Sequence, residues 1–369
     1  MSASARAAGA LEIHQFVPIL QPWDGVGNHV LEARKALRRS GLDGAIWAAG
    51  IHPEFGGTAR PYRRFARSRS RGSGKRLLLY QAASWSCGIV DFLLDRPETK
   101  VLSYHNFTPP EYFDPYDAAV ASSLRQAIAE TRTLAAKVKV ALAASEFNAV
   151  DLREMGIPSV HVVPPFLPPN ISAQPDPRTL AELTAGRTGL HLLFVGRLTP
   201  HKGHVQLVRL LAMVRAAIDP GARLFLVGSK GPAIYMHLLA RHIDRLTPGA
   251  VVLTGPVSDA QLAAYYAQAD MFVCLSEHEG FGLPLIEAML AQVPVIAYDA
   301  GAVGETVGGA GVLVRTLEPA VLAEVVARVA VDKRLQAELR HRQTLRAAQL
   351  EAFPREQALI SALSEAASA

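Results

Sequence analysis

The chain has 369 residues, half of them hydrophobic and 19% charged, with a formal net charge of +5. That length exceeds one ordinary domain and predicts two, each of about 150–200 residues. The apolar content excludes a disordered chain, the mild positive excess does not call for nucleic acid, and no apolar run of roughly 18 residues marks a membrane span.

In chain order, the opening MSASARAAGALEIHQF lacks the apolar core of a secretory leader, so a cytoplasmic protein is expected. Cys87 and Cys274 lie in apolar segments without metal-ligand spacing and read as buried thiols of a reducing compartment. LEIHQFVPIL is strand-like, and NHVLEARKALRR is helical up to Ser40-Gly41. Ahead of that helix, Gly25-Val26-Gly27 offers a tight turn. AIWAAG, KRLLLYQA, KVLSYHNF and VALAASE are further strands, the last followed by a helix that Ser145 caps.

Within this half, ARPYRRFARSRSRGSGKR (59–76) carries eight Lys or Arg and no acid, with Tyr62, Phe65 and Ala66 at helical spacing. Residues 60–76 therefore suit an anionic membrane surface, and a peripheral place on the inner membrane face is an expectation. A solvated loop is the plainer alternative. No recognised nucleic-acid-binding module accompanies the run, so no nucleic acid partner is expected.

Pro164, Pro165, Pro168, Pro169, Pro175 and Pro177 interrupt regular structure and place the interdomain linker between about Pro164 and Thr188. The expected division is 1–175, then 176–350, then a closing helix at 351–369 that packs back toward the first domain. After the linker, LHLLFVG, ARLFLVG, AVVLTG, DMFVCLS and PVIAYDA are strands separated by helices. Ser258-Asp259-Ala260-Gln261 is a capping box that starts one of those helices at Asp259. This alternation predicts an α/β protein. It has two doubly wound, Rossmann-like domains facing across a cleft, with helices at the C-terminus.

Two segments carry chemistry. FVGRLTPHKG ends a buried strand at Gly196 and sends Arg197 and Lys202 out from the next loop, just before a helix. Two cations beside a helix N-terminus suit a polyphosphate; a solvated basic loop is the alternative. EHEGFGLPLIE places Glu279 and Glu287 around a Gly- and Pro-punctuated turn. Gly280 and Gly282 permit close backbone approach, and Pro284 opens a helix where its missing N–H costs nothing. The amides at 281–283 then face an anion favoured by the helix dipole. Glu287, in the first turn, leans back toward the N-terminus, so both carboxylates border one pocket. A carboxylate is repelled by a diphosphate and is better aimed at sugar or ribose hydroxyls. No Asp-x-Asp motif occurs in these segments, so no metal is called for.

FVGRLTPHKG, LTGPVSDAQL, EHEGFGLPLIEAM and PVIAYDAGAVGETVGGAGVLV occur in that order. With DGVGNHV, YHNFTPPEYF and ASEFNAVDLREMG in the first half, they resemble the retaining glycosyltransferases of family 4, which have the GT-B fold. The resemblance covers nearly the whole chain. It implies that Arg197 and Lys202 bind the donor diphosphate, Glu287 holds the ribose hydroxyls and Glu279 contacts the donor sugar. It also implies that the amides of Phe281, Gly282 and Leu283 support phosphate and sugar, and that Gly255 and Val257 lie by the base. The loop at Gly25 would close over the phosphates, although this chain has Asp24-Gly25 where similar enzymes often carry two glycines. His105, at the end of KVLSYHNF, would lie by the donor sugar and the reacting centre; a hydrogen-bonded core histidine is the alternative.

The implied catalytic set is thus His105, Glu279, Arg197 and Lys202. The implied activity is transfer of a hexose-type sugar, with retention and without a metal or other cofactor. A nucleotide-diphosphate sugar, GDP-mannose or a UDP-sugar, is the expected donor, held by the second domain. A glycan or glycolipid hydroxyl is the expected acceptor, held by the first. A catalytically silent sugar-nucleotide binding protein, or a GT-B epimerase or phosphorylase, is the competing reading. A dinucleotide oxidoreductase is discounted because no G-x-G-x-x-G follows a strand.

Overall fold

The structure is a computed structural model and describes residues 11–22, 24–68, 75–83, 85, 87–167 and 173–369. Residues 69–74 of the basic run and 168–172 of the proline-rich linker lie outside the described residues. The chain divides into two compact units. The first combines Met1–Pro110, Ala119–Pro168 and Pro354–Ala369; the second combines Glu111–Ala118 and Pro169–Phe353. The short excursion at 111–118 has no marker in the sequence beyond Pro115.

Seven parallel strands form the sheet of the first unit: β1 (Glu12–Leu20), β2 (Ile46–Ile51), β3 (Ala59–Pro61), β4 (Arg76–Ala82), β5 (Thr99–Tyr104), β6 (Val140–Ala143) and β7 (Ser159–Val162), in the order β3-β2-β1-β4-β5-β6-β7. The central strand β1 is buried along nearly its whole length, as a strand covered on both faces must be. Its helices are α1 (Gly25–Arg39), α2 (Ile89–Leu94), α3 (Ala118–Ala135) and α4 (Glu146–Glu154). Ser145 caps α4 by accepting from the Asn148 amide at 3.2 Å.

The basic segment departs from the amphipathic reading. Tyr62–Arg67 forms a short 3-10 turn, and Phe65 is 1% exposed. Its ring meets Phe16 and Trp47 edge-on at 5.2 and 5.3 Å, with the Arg76 guanidinium over its face at 4.1 Å. The aromatic side of the segment therefore completes the core, so among the described residues Tyr62 and Phe65 are not exposed to lipid. Arg60, Arg63, Arg64 and Arg67 stay exposed. Among the described residues, no helix is long and apolar enough to cross a membrane. Of the two thiols, Cys274 is buried but Cys87 is only half-buried.

In the second unit, six parallel strands follow the order β10-β9-β8-β11-β12-β13. They are β8 (His191–Val195), β9 (Arg223–Val227), β10 (Val251–Gly255), β11 (Met271–Cys274), β12 (Val295–Tyr298) and β13 (Val312–Val314). The helices between and after them are α5 (Pro177–Ala185), α6 (His204–Ala217), α7 (Ala233–Leu246), α8 (Asp259–Gln268), α9 (Leu283–Leu290), α10 (Val303–Val307), α11 (Pro319–Val331) and α12 (Lys333–Ala352). Both bonds of the Ser258–Gln261 capping box are present at the start of α8. The order reverses between β8 and β11, and in doubly wound sheets ligands gather at the carboxyl ends of strands at that switch point.

The chain then returns to the first unit as α13 (Arg355–Ser368). Leu359, Ala362, Leu363 and Ala366 join Ile13, Leu77, Leu79, Val101 and Val140 in one buried cluster. Arg355 Nε ties the start of this helix to the Pro165 carbonyl at 2.9 Å. Leu363 is wholly buried, so Leu363→Ala should remove about 3 kcal/mol from the first unit. All three tryptophans, Trp23, Trp47 and Trp85, fall in that unit's sequence, so tryptophan fluorescence follows its unfolding. The expected outcome is a lower urea midpoint by fluorescence; an unchanged midpoint would mean that α13 is dispensable to this core.

Candidate active site

The site of the second unit gathers at the carboxyl ends of β8 and β11. After β8 the chain passes Arg197, which is exposed, and makes a 3-10 turn at Pro200–Lys202. Gly203 follows with φ +71 and caps α6. A Cβ there would stand 2.2 Å from the Leu275 carbonyl oxygen, so only glycine lets this loop press on the end of β11. The Glu277 amide donates to the His201 carbonyl at 2.8 Å and joins the two loops. Lys202 Nζ consequently meets Glu279 Oε1 at 2.6 Å, with the two side chains 19% and 12% exposed. The cation expected at a phosphate and the acid expected at a sugar are thus paired with each other.

A third loop clamps Glu279 from the other side. Gly301 has φ +59, and a Cβ on it would lie 2.4 Å from the Glu279 carbonyl oxygen. The Ala302 amide donates to that same oxygen at 2.9 Å. Beyond Glu279, Thr306 Oγ1 donates to the Phe281 carbonyl, and Gly282 turns the chain into α9 with φ +89. Among the described residues, no protein acceptor takes the amides of Phe281, Gly282 or Leu283. Those donors and the helix dipole suit a negative charge at this end of α9.

Glu287 is the fifth residue of α9, because the helix begins at Leu283 and not at Pro284; the carboxylate sits just beyond the first turn. Its Oε2 accepts from the Tyr266 hydroxyl at 2.9 Å, and the same hydroxyl lies 3.3 Å from the Pro284 carbonyl. Burial raises the Glu287 carboxyl above its ordinary value, and the Tyr266 bond pulls the other way. Sequence reasoning missed Tyr266, since one aromatic of a Tyr-Tyr pair on a helix reads as plain core. It also missed Lys230, which is exposed after β9 and bridges in parallel with Leu198 in the Arg197 loop. Gly255 ends β10 with φ +72, its carbonyl accepting from Gly228 N at 3.1 Å, and Val257 is half-buried two residues on.

The 111–118 excursion packs beside this loop. Tyr112 and Phe113 set their rings 5.9 and 6.1 Å from His201, and Tyr116 meets Tyr235 edge-on at 5.2 Å. Burial, then the nearby Lys202 charge, hold the His201 imidazole well below its ordinary value. At the start of α6, His204 shares a 3.2 Å contact with the Tyr235 hydroxyl and is pushed down to about 3 by burial. Both shifts favour the neutral ring.

The first unit holds the remaining two candidates. Gly25 does not precede α1 but is its first residue. Asp24 caps that helix, and its carboxylate accepts from the Val26 and Gly27 amides at 3.4 and 3.1 Å. The amides expected to close over a phosphate are therefore engaged by an acid of the chain itself. His105 lies just past the end of β5, and its Nε2 is 2.7 Å from Gln81 Oε1 and 3.3 Å from Ser103 Oγ. Asn106 follows with φ +73, a left-handed conformation that asparagine tolerates, and donates to Asn148 Oδ1 at 2.8 Å.

Two doubly wound units of this kind define the GT-B fold class. The chain superposes on sucrose-phosphate synthase from Thermosynechococcus elongatus with a TM-score of 0.75, covering 96% of this chain and 98% of that one at 19% identity. Residues 180–349 match the family described as glycosyl transferases group 1. Arg197, Lys202, Gly255, Val257, Glu279, Phe281, Gly282, Leu283 and Glu287 all fall inside the match; Gly25 and His105 do not. A GDP-mannose-dependent alpha-(1-6)-phosphatidylinositol monomannoside mannosyltransferase of Mycobacterium tuberculosis is 34% identical over 183 residues, 46% of this chain and 47% of that protein. O-antigen chain mannosyltransferase B of Escherichia coli is 31% identical over 238 residues, 60% of this chain and 58% of that protein. The chain thus spans about half the length of these relatives.

The raised Glu287 carboxyl has a consequence for stability. The folded chain holds this proton more tightly than the unfolded chain, so the contribution is present at low pH and lost as pH rises through the raised value. Glu287→Gln, which cannot ionise, should melt close to wild type near about pH 4 and above it by about pH 7. Calorimetric melting temperatures across that interval check this; a difference independent of pH would show that the fold does not raise the carboxyl.

Proposed function

We propose that the chain is a retaining glycosyltransferase that moves a hexose-type sugar from a nucleotide-diphosphate sugar to a hydroxyl of a glycan or glycolipid. The observation that carries this reading is the Lys202–Glu279 pair, fixed between three loops at the carboxyl end of β11 beside the free amides that open α9. Before a donor binds, the pair neutralises a cation and an acid that are both largely buried. A diphosphate offers Lys202 a second, stronger anion and releases Glu279 to accept from sugar hydroxyls.

Charge developing on the leaving diphosphate meets Lys202, Arg197 and the α9 amides, which are oriented in advance and need no reorganisation. The reading includes no metal. Glu287, aimed by Tyr266, accepts from the ribose hydroxyls, and Gly255 and Val257 border the base. In similar enzymes the acceptor attacks from the face that the diphosphate leaves, and His105 beside the donor sugar belongs to that reading. The names of the two relatives make GDP-mannose the first donor to try, with a UDP-sugar next.

The test is donor turnover. Incubation with GDP-mannose and UDP-glucose, each with and without a glycan or glycolipid acceptor panel, should release nucleoside diphosphate from one donor only. Glu279→Ala should abolish that release. Saturable donor binding without release on any acceptor would instead favour a sugar-nucleotide binding protein, and phosphate-dependent release would favour a phosphorylase. Separately, Lys202→Ala should weaken donor binding by about 1.5–3 kcal/mol. Unchanged affinity by titration calorimetry would remove Lys202 from the phosphate site.

A further inference from the structure

A line of buried hydrogen bonds in the first unit has a built-in direction. It starts at the Val30 backbone carbonyl in α1, which can only accept. Gln15 Nε2 donates to it at 3.0 Å, which turns Gln15 Oε1 the other way. Gln81 Nε2 donates to that Oε1 at 3.0 Å. Gln81 therefore presents its own Oε1, an acceptor, to His105 Nε2 at 2.7 Å. Flipping Gln15 would set its oxygen against the Val30 carbonyl, and flipping Gln81 would set two amide oxygens together. Both glutamines are buried, at 1% and 0% exposure, where an unmade hydrogen bond is costly. One backbone oxygen thus orients two side-chain amides in series.

The ring at the end of the line responds to that polarity. An oxygen that only accepts faces Nε2, so Nε2 carries the proton and Nδ1 keeps its lone pair. Ser103 Oγ, 3.3 Å from the same nitrogen, is a second oxygen able to accept. Beside it, His29 stacks edge-on at 4.8 Å, and its Nδ1 accepts from the Phe166 amide at 3.4 Å, so His29 too carries its proton on Nε2. Burial keeps both rings neutral, pushing His29 down to about 4 and His105 well below its ordinary value. Among the described residues, nothing pairs with His105 Nδ1.

We propose that Gln15 and Gln81 are positioning residues that lock His105 as its Nε2-protonated tautomer, leaving Nδ1 as a hydrogen-bond acceptor. The tautomer stands apart from the proposed glycosyl transfer; its effect on turnover rests on that reading.

The experiment is NMR of the full chain with 15N-histidine, the His105→Gln variant identifying the His105 signals. In the wild type, Nδ1 should show the shift of an unprotonated ring nitrogen and Nε2 that of a protonated one. Gln15→Met sits two hydrogen bonds from the ring and frees Gln81 to turn over, so a second tautomer should appear. Gln81→Met should do the same and lower kcat/KM about tenfold. A proton on Nδ1 in the wild type would overturn the relay, as would a tautomer indifferent to Gln15→Met. Absence of turnover in the wild type would count against glycosyl transfer itself, and the wild-type tautomer would still decide the relay.

Discussion

Contact between backbones at the end of β11 is the constraint on which the site depends. Gly203 lies against the Leu275 carbonyl and Gly301 against the Glu279 carbonyl, at separations that no side chain could share. Two bonds, Glu277 N to His201 O and Ala302 N to Glu279 O, fasten the three loops together. Lys202 and Glu279 are long, flexible side chains, and alone each would lose much rotamer freedom on pairing. Stiff main-chain contacts on both flanks set their Cα positions, so the side chains have little left to search. Precision here comes from glycine, and charge comes second.

The same division of labour recurs around Glu287. Burial disfavours its ionised form, and the Tyr266 hydroxyl offsets part of that cost. The amides at the helix N-terminus that precedes it have no protein acceptor among the described residues. Asp24 shows the contrary arrangement at α1, where the first amides are satisfied from within. Two helix starts that look alike in sequence, each with glycines ahead of an apolar stripe, thus differ in what they leave for a ligand.

Much of this was legible in the sequence because it is local. Arg197, Lys202, Glu279 and Glu287 each sit at a strand end or a helix start, and glycine and proline mark both kinds of place. Strands β8 to β12 of the second unit read clearly as continuous apolar runs. What was not legible is the pairing of residues far apart in the chain. Tyr266 and Glu287 lie 21 residues apart, and Gln15 and Gln81 lie 66 apart, with no spacing rule to join them. Phe65 misled for the opposite reason: a basic, aromatic stretch looks alike whether its rings face lipid or a protein core, and only the packing decides. Strands β3 and β13, of three residues each, are too short for any alternation to show.

The first unit is assembled from three stretches of chain, the last of which is α13. Leu359, Ala362, Leu363 and Ala366 fill its core from that helix. Synthesis runs from the N-terminus, so the ribosome delivers all of the second unit before it delivers these residues. The sheet that begins the chain is thus the last to be closed. Until then its apolar face has no permanent cover, and the nascent protein presents a surface for chaperones to bind. A premature stop between Phe353 and Leu359 would leave the second unit complete and the first without these core residues.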